Sequence, residues 1–209
     1  MKNMWQILTL LLAVALVLSL ALHTVAEDNA LQVKTDCCKN DAKQVLDVIM
    51  NRTSVRSYTD QPIPKAMIEQ MLQAGMAAPS GVNKQPWEFI VVTDRATLDK
   101  LSAKKKMLKE AQAAIVVAGH SDPDNGGSIY WYQDCAAASQ NILLAAHAFG
   151  LGAVWTTVHP HKELEIEVRE ILDMPEYITA LNIIAIGYPK TTQQPKQKWN
   201  EAKIHDNKW

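Results

Sequence analysis

The run AAIVVAG, residues 113–119, limits what this chain can fold into more than any other stretch. It is apolar or small throughout and ends on glycine, which suits a β-strand with no polar face; such a strand is stable only when both faces are covered. Residues 179–186 read as a second buried strand, closing on Gly187-Tyr188-Pro189. Residues 88–93 and 153–158 supply two more. Helical spacing is expected over 42–51 behind Asp41, with Val45, Leu46, Val48 and Ile49 on one face, and over 65–77, which Pro64 starts. Met67 and Met71 of that helix read as core filler. Asp94 is placed to cap a helix over 94–101, and 162–172 reads as a helix with one polar face. Residues 128–149, rich in alanine, form the expected central helix, with Gly150 as its left-handed cap. Residues 122–127, DPDNGG, read as a mobile loop.

With 209 residues, 48% of them hydrophobic, and a net charge of −1, the chain can bury one sizeable core and has no electrostatic reason to seek nucleic acid. The expected organisation is a leader over 1–26, a linker over 27–40 and one domain over 41–209. In the leader, Lys2 precedes an apolar run from Ile7 to Leu22, and Thr24-Val25-Ala26 precedes Glu27-Asp28, the order of parts in a secretory signal peptide. Read from Trp5 to Ala26, the same stretch is long enough to span a membrane at about 1.5 Å per residue across about 30 Å. Cleavage after Ala26 and an uncleaved anchor both stand, and either puts the domain outside the cytoplasm, in a periplasmic or extracellular space. Cys37, Cys38 and Cys135 are not spaced as a disulfide framework, and no Cys-x-x-Cys or His-x-x-x-His points to a metal.

Residues 51–64, NRTSVRSYTDQPIP, gather Arg52, Thr53, Ser54, Arg56 and Ser57 within six positions. Two guanidiniums offer forked, permanently charged donors that suit a phosphate monoester, and the hydroxyls can reach the same oxygens or a sugar chain. A solvated loop ahead of a helix carries the same composition. Residues 77–92, AAPSGVNKQPWEFIVV, then run from a Pro/Ser/Gly/Asn turn through Gln85-Pro86-Trp87 into a strand. Together, Arg52-Thr53-Ser54-Val55-Arg56 and Pro79-Ser80-Gly81-Val82-Asn83-Lys84-Gln85-Pro86-Trp87 resemble the nitroreductase family of FMN-dependent oxidoreductases, over roughly residues 43–209.

The resemblance implies an α+β fold, a three-layer α/β/α arrangement around a mixed, mostly antiparallel sheet, in an intertwined homodimer with the helix over 128–149 at its interface. It places Arg52, Thr53, Ser54 and Arg56 on the phosphate and ribityl chain of FMN. It places Pro79, Ser80, Gly81 and Asn83 along the ring, and the backbone of Thr156, Thr157 and Val158 near ring atom N5. In the tail, residues 196–209, a basic residue that is usually arginine completes the phosphate site. Lys198 stands there, and a lysine lacks the arginine's two-pronged contact.

The implied activity passes electrons from NADH or NADPH through FMN to a nitroaromatic, quinone or similar small acceptor by a ping-pong mechanism. The cofactor carries the redox step and no protein nucleophile is needed. Two other readings stay open: an exported flavoprotein reduced by a non-nicotinamide donor, and a flavin-binding module without turnover. His159 and His161, flanking Pro160 with no carboxylate motif beside them, are assigned neither a metal nor acid/base work. The lysines 104–106 read as a solvated face, with a pyridine-nucleotide phosphate as the alternative. Acceptor identity is expected to lie in the loops around the ring, especially residues 121–131.

Overall fold

A computed structural model describes residues 41–209; the leader, the linker, Cys37 and Cys38 lie outside the described residues. The chain divides into two units, Met1–Asp47 and Val48–Trp209, and the sheet with every candidate site residue belongs to the second. Helix α1 covers residues 41–51, and its Val45, Leu46, Ile49 and Met50 are exposed.

In chain order follow α2 (Lys65–Met76), β1 (Trp87–Val92), α3 (Arg95–Ser102), β2 (Ala113–His120), α4 (Trp131–Ala148), β3 (Gly152–Thr157), α5 (Lys162–Ile171) and β4 (Ile178–Gly187). The strands form one sheet in the order β1-β2-β4-β3, antiparallel at every pairing. Among the described residues the parallel element of the expected mixed sheet is a single bridge, Ser54 to Ala153.

Period two explains the layering. Along β2, Ala114, Val116 and Ala118 face a core shared with Leu98 and Leu101 of α3 and Val168 of α5. Ala113, Ile115 and Val117 face the opposite core, with Ile68 and Met71 of α2 and Cys135, Ala138 and Ile142 of α4. Residues 183–186 of β4 divide between the two cores in the same way. The runs without a polar face are thus the middle layer of three.

Cap chemistry sets the helix ends. Thr97 N donates to Asp94 Oδ2 at 2.7 Å, opening α3. At the end of α4, Gly150 has φ 74°, and Gly150 N and Leu151 N donate back to His147 O and Ala146 O. The central helix is shorter at its start than its composition implies, because residues 128–130 form a turn in which Tyr130 N donates to Ser128 Oγ. The 122–127 loop contains a 3-10 turn, Pro123–Asn125, with Asp124 N donating to Asp122 Oδ1. The tail has only the 3-10 turn Glu201–Lys203, and Trp199 and Trp209 are exposed.

Between β2 and β4 the register slips at Val117/Ala118, leaving Leu181 as the extra residue of a bulge. Its carbonyl accepts from both Val158 N (2.9 Å) and His159 N (3.1 Å), which fixes how the chain leaves β3.

Candidate functional site

The segment after α1 is held against the sheet by two missing side chains. Gly152 and Gly187 are cross-strand partners in β3 and β4. A Cβ at Gly152 would stand 2.7 Å from Val55 Cβ, and one at Gly187 would stand 2.7 Å from Tyr58 Cβ. The paired glycines therefore open a hollow that Val55 and Tyr58 fill. Val55 N donates to Ala153 O at 3.0 Å, and Thr59 N to Tyr188 O at 2.8 Å. The Tyr58 hydroxyl has Val55 O at 2.6 Å and Ala185 O at 3.1 Å as acceptors, and burial pushes the phenol far above its usual range, the charge of Arg56 offsetting little. Tyr58 N also donates to Glu110 Oε2 at 3.3 Å, while Lys190 Nζ lies 3.1 Å from Oε1. The Lys190 contact first, and the Tyr58 amide second, hold the Glu110 carboxyl below its usual range.

With Val55 and Tyr58 turned inward, the residues on either side of Val55 face a cavity of about 330 Å³. Arg52, Thr53, Ser54 and Arg56 line it from one side, and Gln193, Gln194, Lys196 and Lys198 from the tail. Among the described residues, four cations and two hydroxyls line this space without a single carboxylate. Arg56 is anchored by Nη1 to Ser54 O at 3.4 Å. His147, near the end of α4, is held below the ordinary imidazole range by burial first and by the charge of Arg52 second. Lys198 stands where the tail was expected to contribute. Lys196 and the two glutamines were missed, since nothing in residues 193–196 departs from an ordinary polar tail.

The strand beside this cavity presents its backbone by alternation. Ala153 turns its carbonyl outward to Val55, and Val158 turns its amide inward to Leu181, so Trp155 and Thr157 point their peptide groups to the open edge. Of the three residues expected near a ring, Thr157 is exposed on that edge. Thr156 is buried, with its hydroxyl donating to Ile183 O at 2.8 Å, and Val158 is buried with its amide already paired. From Ala153 to Thr157 the strand rises about 13 Å at about 3.3 Å per residue.

Pro79, Ser80, Gly81 and Asn83 do not line the cationic cavity. They form a turn against the start of α4, where Gly81 N donates to Asp134 Oδ1 at 2.9 Å and Gln85 N to Ser80 Oγ at 3.0 Å. Lys84 Nζ donates to Gly127 O, tying this turn to the 122–128 loop. Val82, Asn83 and Gln85 all have positive φ, at 45°, 56° and 49°. For the β-branched Val82, 88% exposed, this is a strained conformation held by the surrounding bonds.

His159 corrects the expectation of a loop histidine without a carboxylate. Its Nδ1 lies 2.8 Å from Oε1 of Glu165, which is buried and takes Lys162 Nζ on its other oxygen at 3.0 Å. Trp131 meets the imidazole edge-on at 4.9 Å, and Tyr132 stacks at 6.3 Å. Among the described residues no group of three or more His, Cys, Asp or Glu could hold a metal ion, and no helix is long and apolar enough to cross a membrane.

Comparison with known proteins finds relatives over most of the chain. The sequence model of the Nitroreductase family matches residues 49–106 and 102–188. A candidate NADH dehydrogenase/NAD(P)H nitroreductase of Archaeoglobus fulgidus is 42% identical over 175 residues, covering 80% of this chain and 99% of that one. A crystal structure of a protein of the same description from Bacteroides thetaiotaomicron is 50% identical, with a TM-score of 0.76 over 79% of this chain and 98% of its own. An FMN-dependent nitroreductase from Clostridium difficile is 30% identical, with a TM-score of 0.73 over 78% of this chain and 99% of its own.

Proposed function

Since the chain belongs to the nitroreductase family, we propose that it is a homodimeric oxidoreductase that binds FMN and uses NADH or NADPH to reduce a nitroaromatic, quinone or similar small acceptor by a ping-pong mechanism. The observation that carries the reading is the cavity ringed by Arg52, Arg56, Lys196 and Lys198 without an acidic residue among the described residues. A phosphate monoester dianion fits that donor set: guanidiniums for paired contacts, lysines as point charges, and Thr53 and Ser54 for the remaining oxygens. The open edge of β3 leads away from the clamp past Trp155 to Thr157, so a phosphate held at the clamp directs the rest of its ligand along unpaired peptide groups.

Bound FMN would supply two-electron redox chemistry. This chain's residues bind and orient. Arg56 would oppose negative charge on the bound group from the clamp, Thr157 would offer peptide hydrogen bonds from a rigid strand, and the strained 81–85 turn would present Asn83 from a fixed position. In one chain that turn lies outside the clamp cavity. Exposed Ile49 and Met50 at the end of α1, with Trp199 and Trp209 in the tail, support a second copy as the source of the missing wall. The expected export of the domain belongs to this proposal too, and rests on the sequence of residues 1–26.

The test is an absorbance spectrum of the purified protein without oxygen, before and after NADH or NADPH. Yellow protein that bleaches is the expected result, and an Arg52→Ala, Arg56→Ala double variant should lose the colour. Bleaching with dithionite alone would replace the nicotinamide donor with another. Colourless protein that FMN does not reconstitute would overturn the assignment.

A further inference from the structure

A second cavity, of about 840 Å³, lies at the other edge of the sheet. The clamp bridges β3 and this cavity reaches β1, so three strand spacings of about 4.8 Å, roughly 14 Å, separate the edges. Its apolar wall comes from Ile90 of β1 and from Leu172, Met174 and Ile178, where α5 turns into β4. The volume is that of a small-molecule site, within about 300–1,000 Å³.

The polar part of the lining has one sign. Glu88 and Asp173 both face the cavity, and neither carboxylate has a hydrogen-bond or ion-pair partner among the described residues. Asp173 stands at a left-handed φ of 49°, a conformation that costs a non-glycine residue energy. Among the described residues no lysine or arginine lines the space; Arg169 gives its Nη2 to Ile178 O at 3.4 Å from outside the lining. The rings of His120 and Tyr177 lie 4.9 Å apart in the same wall, and His120 Nδ1 is buried without a partner. Two unpaired carboxylates, an aromatic face and an apolar floor form the counterpart of the cationic cavity at the opposite edge.

We propose that this cavity is a second small-molecule site, distinct from the clamp, whose ligand is an organic cation with a compact apolar or aromatic body. The cation is recognised by Glu88 and Asp173 together, with Tyr177 adding a cation–π contact. The body displaces water from Ile90, Leu172, Met174 and Ile178. An anion is repelled here. A neutral analogue gains the apolar contact and desolvates the carboxylates without compensating them.

The full chain is titrated with benzamidine, and with benzamide as the neutral match in shape, by amide chemical shifts. Benzamidine should shift residues 88–90 and 172–178 most, bind at least tenfold more tightly than benzamide, and weaken with added salt. The same shifts should persist in excess inorganic phosphate, which occupies the clamp, so the outcome does not depend on the flavin reading. Glu88→Gln with Asp173→Asn should weaken benzamidine at least tenfold while leaving benzamide unchanged. Should that pair lose the native spectrum, Glu88→Gln alone, at an exposed strand position, should weaken it threefold or more. Equal binding of the two probes, an unchanged affinity in a folded variant, or shifts confined to another surface would each overturn the site.

Discussion

Replacing Gly152 by alanine tests how the clamp is seated. The new Cβ would lie 2.7 Å from both Cβ and Cγ1 of Val55 and 3.0 Å from Cγ2. Carbon pairs settle at about 3.5–4.0 Å, so Val55 must retreat by roughly 1 Å. Val55 is branched at Cβ and its amide is bonded to Ala153 O, so rotation about χ1 exchanges one methyl for the other and the backbone has to move. Overpacking of this kind costs about 1–3 kcal/mol. At about 2–4 °C per kcal/mol for a chain this size, a cost of about 2 kcal/mol lowers the melting temperature by roughly 4–8 °C. Because Ser54 and Arg56 flank Val55, the cationic cavity loses its spacing and FMN or phosphate binds more weakly. Val55→Ala alone should cost about 2 kcal/mol in lost burial. Combined with Gly152→Ala, it should cost less than the two single effects together, because both γ-methyl collisions are gone and only the one with Cβ of residue 55 remains. Calorimetric melting of the four proteins, with and without FMN, measures both effects. Strict additivity, or a Gly152→Ala protein with unchanged melting and binding, would refute the seating.

Other outcomes follow from the same packing. The proton that the folded chain refuses at His147 is taken up by the unfolded one below about pH 6.5. The stability this neutral imidazole contributes is therefore complete above that value and lost as pH falls through the folded midpoint. By NMR titration, Arg52→Ala should raise the His147 midpoint and bound phosphate should raise it as well; a midpoint indifferent to Arg52 would remove that charge from the account. Tyr58→Phe leaves Val55 O and Ala185 O without their buried donor and should cost about 1–2 kcal/mol in urea unfolding. Cys135, its thiol pushed up to about 12 by burial and secondarily by Asp134, should resist iodoacetamide at pH 8 in the native protein; alkylated Cys135 recovered by peptide mapping would contradict its enclosure.

What the sequence disclosed and what it hid divide along a physical line. Residues 113–119 carried their own evidence of double burial, and the structure has them between two cores. Arg52 to Arg56 announced a clamp because adjacent residues supplied both charge and hydroxyls. The tail's share was harder: Lys196 and Lys198 reach the clamp across 140 positions or more, and no local pattern encodes such a return. Glu165 meets His159 from six residues away across the start of α5, a spacing outside the i+3 and i+4 rules, so the pair reads as two unrelated polar residues. The hollow at Gly152 and Gly187 was equally silent, since each glycine looks like an ordinary strand end until β3 and β4 are set side by side. Period two, applied to β3, would have separated Thr157 from its neighbours in advance.

The bridge from Ser54 covers the outer edge of β3 at one point only, and the strand continues to Thr157 with its outward peptide groups unmatched. An edge of this kind is a template for any other extended chain, and proteins ordinarily blunt it with lysine, proline or a bulge. Trp155 and Thr157 do none of these things. Whatever lies along that edge therefore guards the protein against joining its neighbours strand to strand. A preparation stripped of its occupant should lose solubility well before it loses its fold.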